Sequence, residues 1–220
     1  MTNRSIKHLN SYMKINLALL LLLLASSAFS KTILESGVSD FFTIQKTQEG
    51  NEIEVLVQDL KGYKLSEEKI MIKQGQFITY SWQQFQTGEK VKLELKNNKI
   101  HFVSEDKKKV MELSAEELKK IVLPPLLTNS LVARIKQAPQ TKKFEVMVIV
   151  PDKMMLLNFN FVLKSQDKEK SVWELNPDSF FVGLVVGRVT FTFDKDLKLL
   201  KIKDIILPIR PTQKTEIVFK

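Results

Sequence analysis

Apolar side chains recur at every second position along most of this chain, and that period constrains the fold more than any other feature. In Lys90-Val91-Lys92-Leu93-Glu94-Leu95-Lys96 the alternation is complete, apolar to one side and charged to the other. Ile53, Val55 and Val57 repeat it, as do Ile78, Tyr80 and Trp82, and then Leu157, Phe159, Phe161 and Leu163. A strand turns successive side chains to opposite faces, so these runs read as half-buried strands. Further strands are expected at 99–103, 109–113, 144–150, 171–175, 188–193 and 197–202. Polar turn signals separate them, among them Gln86-Thr87-Gly88-Glu89, Asn97-Asn98 and Ser104-Glu105-Asp106. Strands at short, regular spacing are joined as hairpins, which predicts a mainly β fold: one curved antiparallel sheet or half-barrel of about ten strands.

Two segments break the period. Ser114-Ala115-Glu116-Glu117 has the form of a capping box, with Leu118, Ile121 and Val122 following at helical spacing before Pro124-Pro125 stops the element. A second apolar stretch runs from Leu126 towards Arg134, so residues 114–136 read as a helical insertion. Asn176-Pro177-Asp178 reads as a helix start, with Asn as N-cap, Pro in the first turn and Asp at the positive end of the dipole. The helix expected over 177–186 is apolar nearly all round and so needs burial on more than one side, with Gly187 at its end.

The first 30 residues belong to targeting rather than to the fold. Arg4, Lys7 and Lys14 precede an apolar run from Ile15 to Ala25, and the small residues Ser26, Ser27, Ala28 and Ser30 follow. A basic start, a short apolar core and small residues at −3 and −1 describe a secretory signal peptide, with cleavage expected after Ser30. The run is well short of the roughly 20 residues a membrane-spanning helix needs. Met13 could itself begin a compact signal peptide, so translation can start there or at Met1. Residues 31–220 then read as a single β-rich domain, periplasmic or secreted and not integral to a membrane once the signal is removed.

The composition closes several routes to chemistry. With no Cys and only 2 His, thiol catalysis, disulfides, lipid attachment at a cysteine and Cys/His metal sites are excluded. His8 lies in the signal segment, and His101 alternates with Ile100 and Phe102 on a strand, where it is expected to face solvent. No nucleophile elbow, phosphate loop or dinucleotide fingerprint occurs. The expectation is a protein that is not an enzyme and carries no cofactor. The formal charge of +9 is mostly scattered Lys, interleaved with acids, and makes no arginine-rich stripe for nucleic acid.

The aromatic residues point to a function. Many of the 14 Phe, together with Tyr80, Trp82 and Trp173, lie on strand faces. They either fill a solid core or line an apolar cavity under the helices. For the cavity, the expected walls are Tyr80, Trp82, Phe159, Phe161 and Trp173, with Phe180, Phe181 and Leu184 from the covering helix. The ligand would be a lipid, acyl chain or apolar peptide. A cell-envelope assembly or interaction protein, solid inside and acting through its surface or a sheet edge, is the alternative, with an envelope protein as partner.

The order of elements, with the Asn176-Pro177-Asp178-Ser179 start followed by Phe191-Thr192-Phe193-Asp194, resembles the periplasmic outer-membrane lipoprotein carrier-like superfamily and related bacterial periplasmic families of unknown function. The resemblance spans most of residues 35–208. It implies a half-closed antiparallel barrel covered by short helices and a hydrophobic ligand. It transfers no site residue, because Arg134, Arg188 and Arg210 offer no clear counterpart to the arginine-dependent gating that the family implies.

Overall fold

The computed structural model describes residues 31–179, 188–206 and 214–220. The expected signal segment, residues 1–30, therefore lies outside the described residues. Fifteen strands form one sheet. The first eight are β1 (Thr32–Val38), β2 (Phe42–Glu49), β3 (Glu52–Asp59), β4 (Lys64–Lys73), β5 (Gln76–Gln84), β6 (Lys90–Lys96), β7 (Lys99–Ser104) and β8 (Lys108–Glu112). Two short helices follow, α1 (Ala115–Lys120) and α2 (Leu127–Gln137), with the two-residue strand β9 (Ile121–Val122) and a 3-10 turn (Pro124–Leu126) between them. The remaining strands are β10 (Lys143–Val150), β11 (Met155–Gln166), β12 (Lys170–Pro177), β13 (Val189–Asp194), β14 (Leu199–Ile206) and β15 (Lys214–Phe219).

The strand order is β8-β7-β6-β5-β4-β3-β2-β1-β15-β14-β13-β12-β11-β10-β9, antiparallel throughout except that β9 runs parallel to β10. The described residues thus start in the middle of the sheet and meander to one edge. The chain crosses through α1 to β9 at the other edge, passes through α2 to β10, then meanders back to β15 beside β1. Tight turns drive each half. Asn97 and Asn98 both have positive φ between the paired Lys96 and Lys99, the two-residue hairpin that follows the natural strand twist.

The halves meet at a seam where Gly37 pairs with Phe219 and Val38 with Val218. A Cβ on Gly37 would lie 2.6 Å from Ile217 and 3.0 Å from both Ile44 and Phe219, so a residue without a side chain is needed there. The sheet curls until its edges approach, and Lys109 of β8 donates to the Met154 carbonyl at the β10–β11 turn at 2.9 Å. The inner face carries an N-terminal apolar cluster that includes Tyr80, Trp82 and Phe102, a C-terminal one that includes Phe159, Phe161 and Trp173, and a small one at the seam around Phe42 and Ile217. Helix α2 covers the C-terminal cluster with Leu127, Leu131 and Ile135, a stripe at i, i+4 and i+8.

Three expectations change. The sheet has 15 strands rather than about ten, the additions being β1, β2, β4, β9 and β15. The start of the expected second helix is strand. Asn176 and Pro177 close β12 opposite Asn160 and Phe159, and Asp178 donates its N–H to the Asn158 carbonyl at 2.9 Å. Proline lacks a donor for the ladder, so a strand end accommodates it. The rest of that helix, residues 180–186, lies outside the described residues. In β5, a bulge at Ile78 puts Phe77, rather than Ile78, on the buried face with Tyr80 and Trp82.

Candidate functional site

The inner face is divided by chemistry. Across the N-terminal half one register row reads Glu35, Lys46, Val55, Glu68 and Trp82, each paired with the next. Lys46 and Glu68 reach over the intervening Val55 from backbones about 10 Å apart, two strand spacings. The Lys46 side chain is only 3% exposed. Its ammonium donates to Asn129 Oδ1 of α2 at 2.5 Å and lies 3.4 Å from a Glu35 carboxylate oxygen. Burial pulls the Lys46 pKa below its usual range, against the pull of Glu35 and Glu68.

Glu68 accepts a 2.7 Å hydrogen bond from the Tyr80 hydroxyl. Burial raises the Glu68 pKa to about 7, although the Tyr80 hydrogen bond and the Lys46 charge both lower it. The Tyr80 pKa rises in turn, through burial first, then Glu68, with Asp152 of the β10–β11 turn adding to it. Reading for apolar alternation missed this cluster, because it places charge where that pattern demands an apolar residue. Its signal was two strand-length segments between turns, 42–49 and 64–73, with Lys46 and Glu68 at inward positions.

Across the C-terminal half the inner face is aromatic. The Trp173 ring stacks on Phe161 with centroids 5.1 Å apart and 9° between planes, and on Phe144 at 5.7 Å. Phe191 meets Phe161 edge to face at 5.5 Å. Within this wall the Trp173 indole N–H and the Ser171 hydroxyl are buried and have no hydrogen-bond partner. Such atoms are uncommon in folded proteins and each calls for a physical account.

The expected cavity walls are therefore split. Phe159, Phe161 and Trp173 share one cluster, and Tyr80 and Trp82 belong to the other. Phe180, Phe181 and Leu184 lie outside the described residues. Helix α2 is tied at its far end by Arg134, which donates to the Lys119 carbonyl at 2.8 Å and the Glu145 carbonyl at 3.4 Å.

The outer face carries an open groove of about 510 Å³ across β3 to β7, lined in part by Lys69, Met71, Thr79, Lys92, Glu94 and His101. His101 is half-buried there, cross-strand from Glu94 and Val110. Among the described residues no cluster of three or more His, Asp or Glu is placed to hold a metal ion. No helix among them is long and apolar enough to cross a membrane.

No family model matches the chain, and no curated protein matches it. Among solved structures, the crystal structure of a β-barrel-like protein of the domain of unknown function DUF1849 from Brucella abortus is similar at TM-score 0.48 and 10% identity, over 86% of this chain and 94% of that one. That likeness assigns no residue a role.

Proposed function

We propose that this is an exported, periplasmic or secreted, non-enzymatic protein that holds a hydrophobic ligand against the inner face of its curved sheet. The ligand class is a lipid, acyl chain or apolar peptide. The observation that carries the reading is the Trp173 indole, 3% exposed in an aromatic wall with its N–H unpaired. An unpaired buried donor costs about 1–3 kcal/mol, and phenylalanine would supply the stacking without that cost. A bound molecule that offers an acceptor removes the penalty. The basic, leucine-rich start of the chain supports export.

A second reading, an envelope interaction protein, draws on β8. Among the described residues this edge strand pairs only with β7, and it exposes Val110 by 55%, a surface that can accept an added strand. Mass spectrometry of the protein purified gently from its own envelope separates the two. A lipid-sized adduct near one per chain, with the same lipid in an organic extract, supports the ligand reading. A clean unliganded mass, with an envelope protein crosslinked to it, overturns that reading in favour of the edge strand.

A further inference from the structure

The two inward-facing unpartnered groups on β12 also bear on the kind of ligand. Ser171 and Trp173 are two residues apart on one strand, so both face inward, with backbones about 7 Å apart. They are 6% and 3% exposed. Their register neighbours on β13 are Phe193 and Phe191, and Leu163 on β11 pairs with Trp173. The charged residue that follows them, Glu174, points to the other face, where Lys164 lies at 3.3 Å and Arg188 at 4.0 Å. Among the described residues, the inward positions of this wall carry no cation. The buried cation of the inner face, Lys46, lies in the other half and is already engaged by Glu35 and Asn129.

A carboxylate or phosphate placed against Trp173 would be a buried charge without a counter-ion, which is strongly unfavourable. A plain hydrocarbon would leave the indole N–H unmet. An uncharged carbonyl oxygen meets neither objection, since one neutral donor satisfies it. Resting on the ligand-binding reading above, we propose that the ligand is an uncharged acyl compound, an ester or amide, whose carbonyl oxygen accepts from Trp173 Nε1 or the Ser171 hydroxyl.

Titration calorimetry at pH 7.5 with methyl decanoate, decanoate and decane tests this on the purified protein. Methyl decanoate should bind at least about tenfold tighter than either of the others, the scale of one well-made buried hydrogen bond. Trp173→Phe and Ser171→Ala should each reduce that preference several-fold and leave decane binding unchanged. Ser171→Ala removes an unmet hydroxyl, so its unliganded melting temperature should be no lower than that of the parent, and it serves if Trp173→Phe does not fold. Equal binding of ester and alkane, tighter binding of decanoate, or full ester preference in both variants overturns the carbonyl assignment while the ligand-binding reading stands. No binding of any of the three overturns both.

Discussion

Tyr80 donates its hydroxyl to Glu68 at 2.7 Å from the neighbouring strand, one pleat out of register, since Glu68 pairs with Trp82 and Tyr80 with Ile70. The bond joins two side chains on the buried side of β4 and β5, where the burial of Glu68 couples folding to pH near neutrality.

Burial lifts the Glu68 pKa from 4.5 to about 7, so between those values the folded chain binds a proton that the unfolded chain does not. Stability from this group therefore rises as pH falls from 7 towards 4.5 and is lost as pH rises through 7, by at most about 3 kcal/mol. Denaturant melts at pH 5 and pH 8 should show the protein more stable at the lower pH. Glu68→Gln should flatten that difference and stabilise the protein at pH 8, and an unchanged slope in the variant would refute the assignment.

Glu35 and Lys46 form the next coupled pair. Replacing Glu35 alone by Gln strips the buried ammonium of its nearest countercharge and should cost about 2 kcal/mol. Lys46→Met removes the buried charge itself, while Glu35 remains exposed enough to hydrate, so that variant should lie within about 1 kcal/mol of the parent. Once Lys46→Met is in place, adding Glu35→Gln should be close to neutral. A double-mutant cycle by urea unfolding measures the coupling, and additive losses would show that the two groups act independently.

Gly37 tests the seam. Adding one methyl there forces Ile217, which is 1% exposed, and Ile44 out of position. Gly37→Ala should destabilise by about 1–3 kcal/mol, as overpacking does in a closed core. Gly75→Ala, at a turn with open space but φ of +79°, provides a comparison in which the backbone alone is strained. Retention of the parent melting temperature in Gly37→Ala would mean that the first and last strands separate more readily than their packing indicates.

Ten of the strands were legible as apolar alternation. The strands that escaped include the three that carry the charged row. Glu35 interrupts β1, Lys46 interrupts β2, and Glu68 falls at an inward position of β4. Period-two reading assumes an apolar inner face, so it fails where the interior is polar, and here that failure marked the charged cluster. The Asn176-Pro177-Asp178 error has a different cause, because the same residues that favour a helix start also suit a strand end where no ladder donor is needed.

By itself the sequence determined what depends on near neighbours: the strand period, the Asn97-Asn98 hairpin, and the Ser114–Glu117 capping box, which forms in full. Tertiary structure alone decided which strands would meet at the seam and which polar groups could be buried. Gly37 faces Phe219 across the whole length of the described chain, and Lys46 finds Asn129 83 positions away. A buried ammonium is tolerable only once such partners arrive, and an indole N–H stays unpaired only where the fold brings none. Both depend on contacts that local spacing cannot encode.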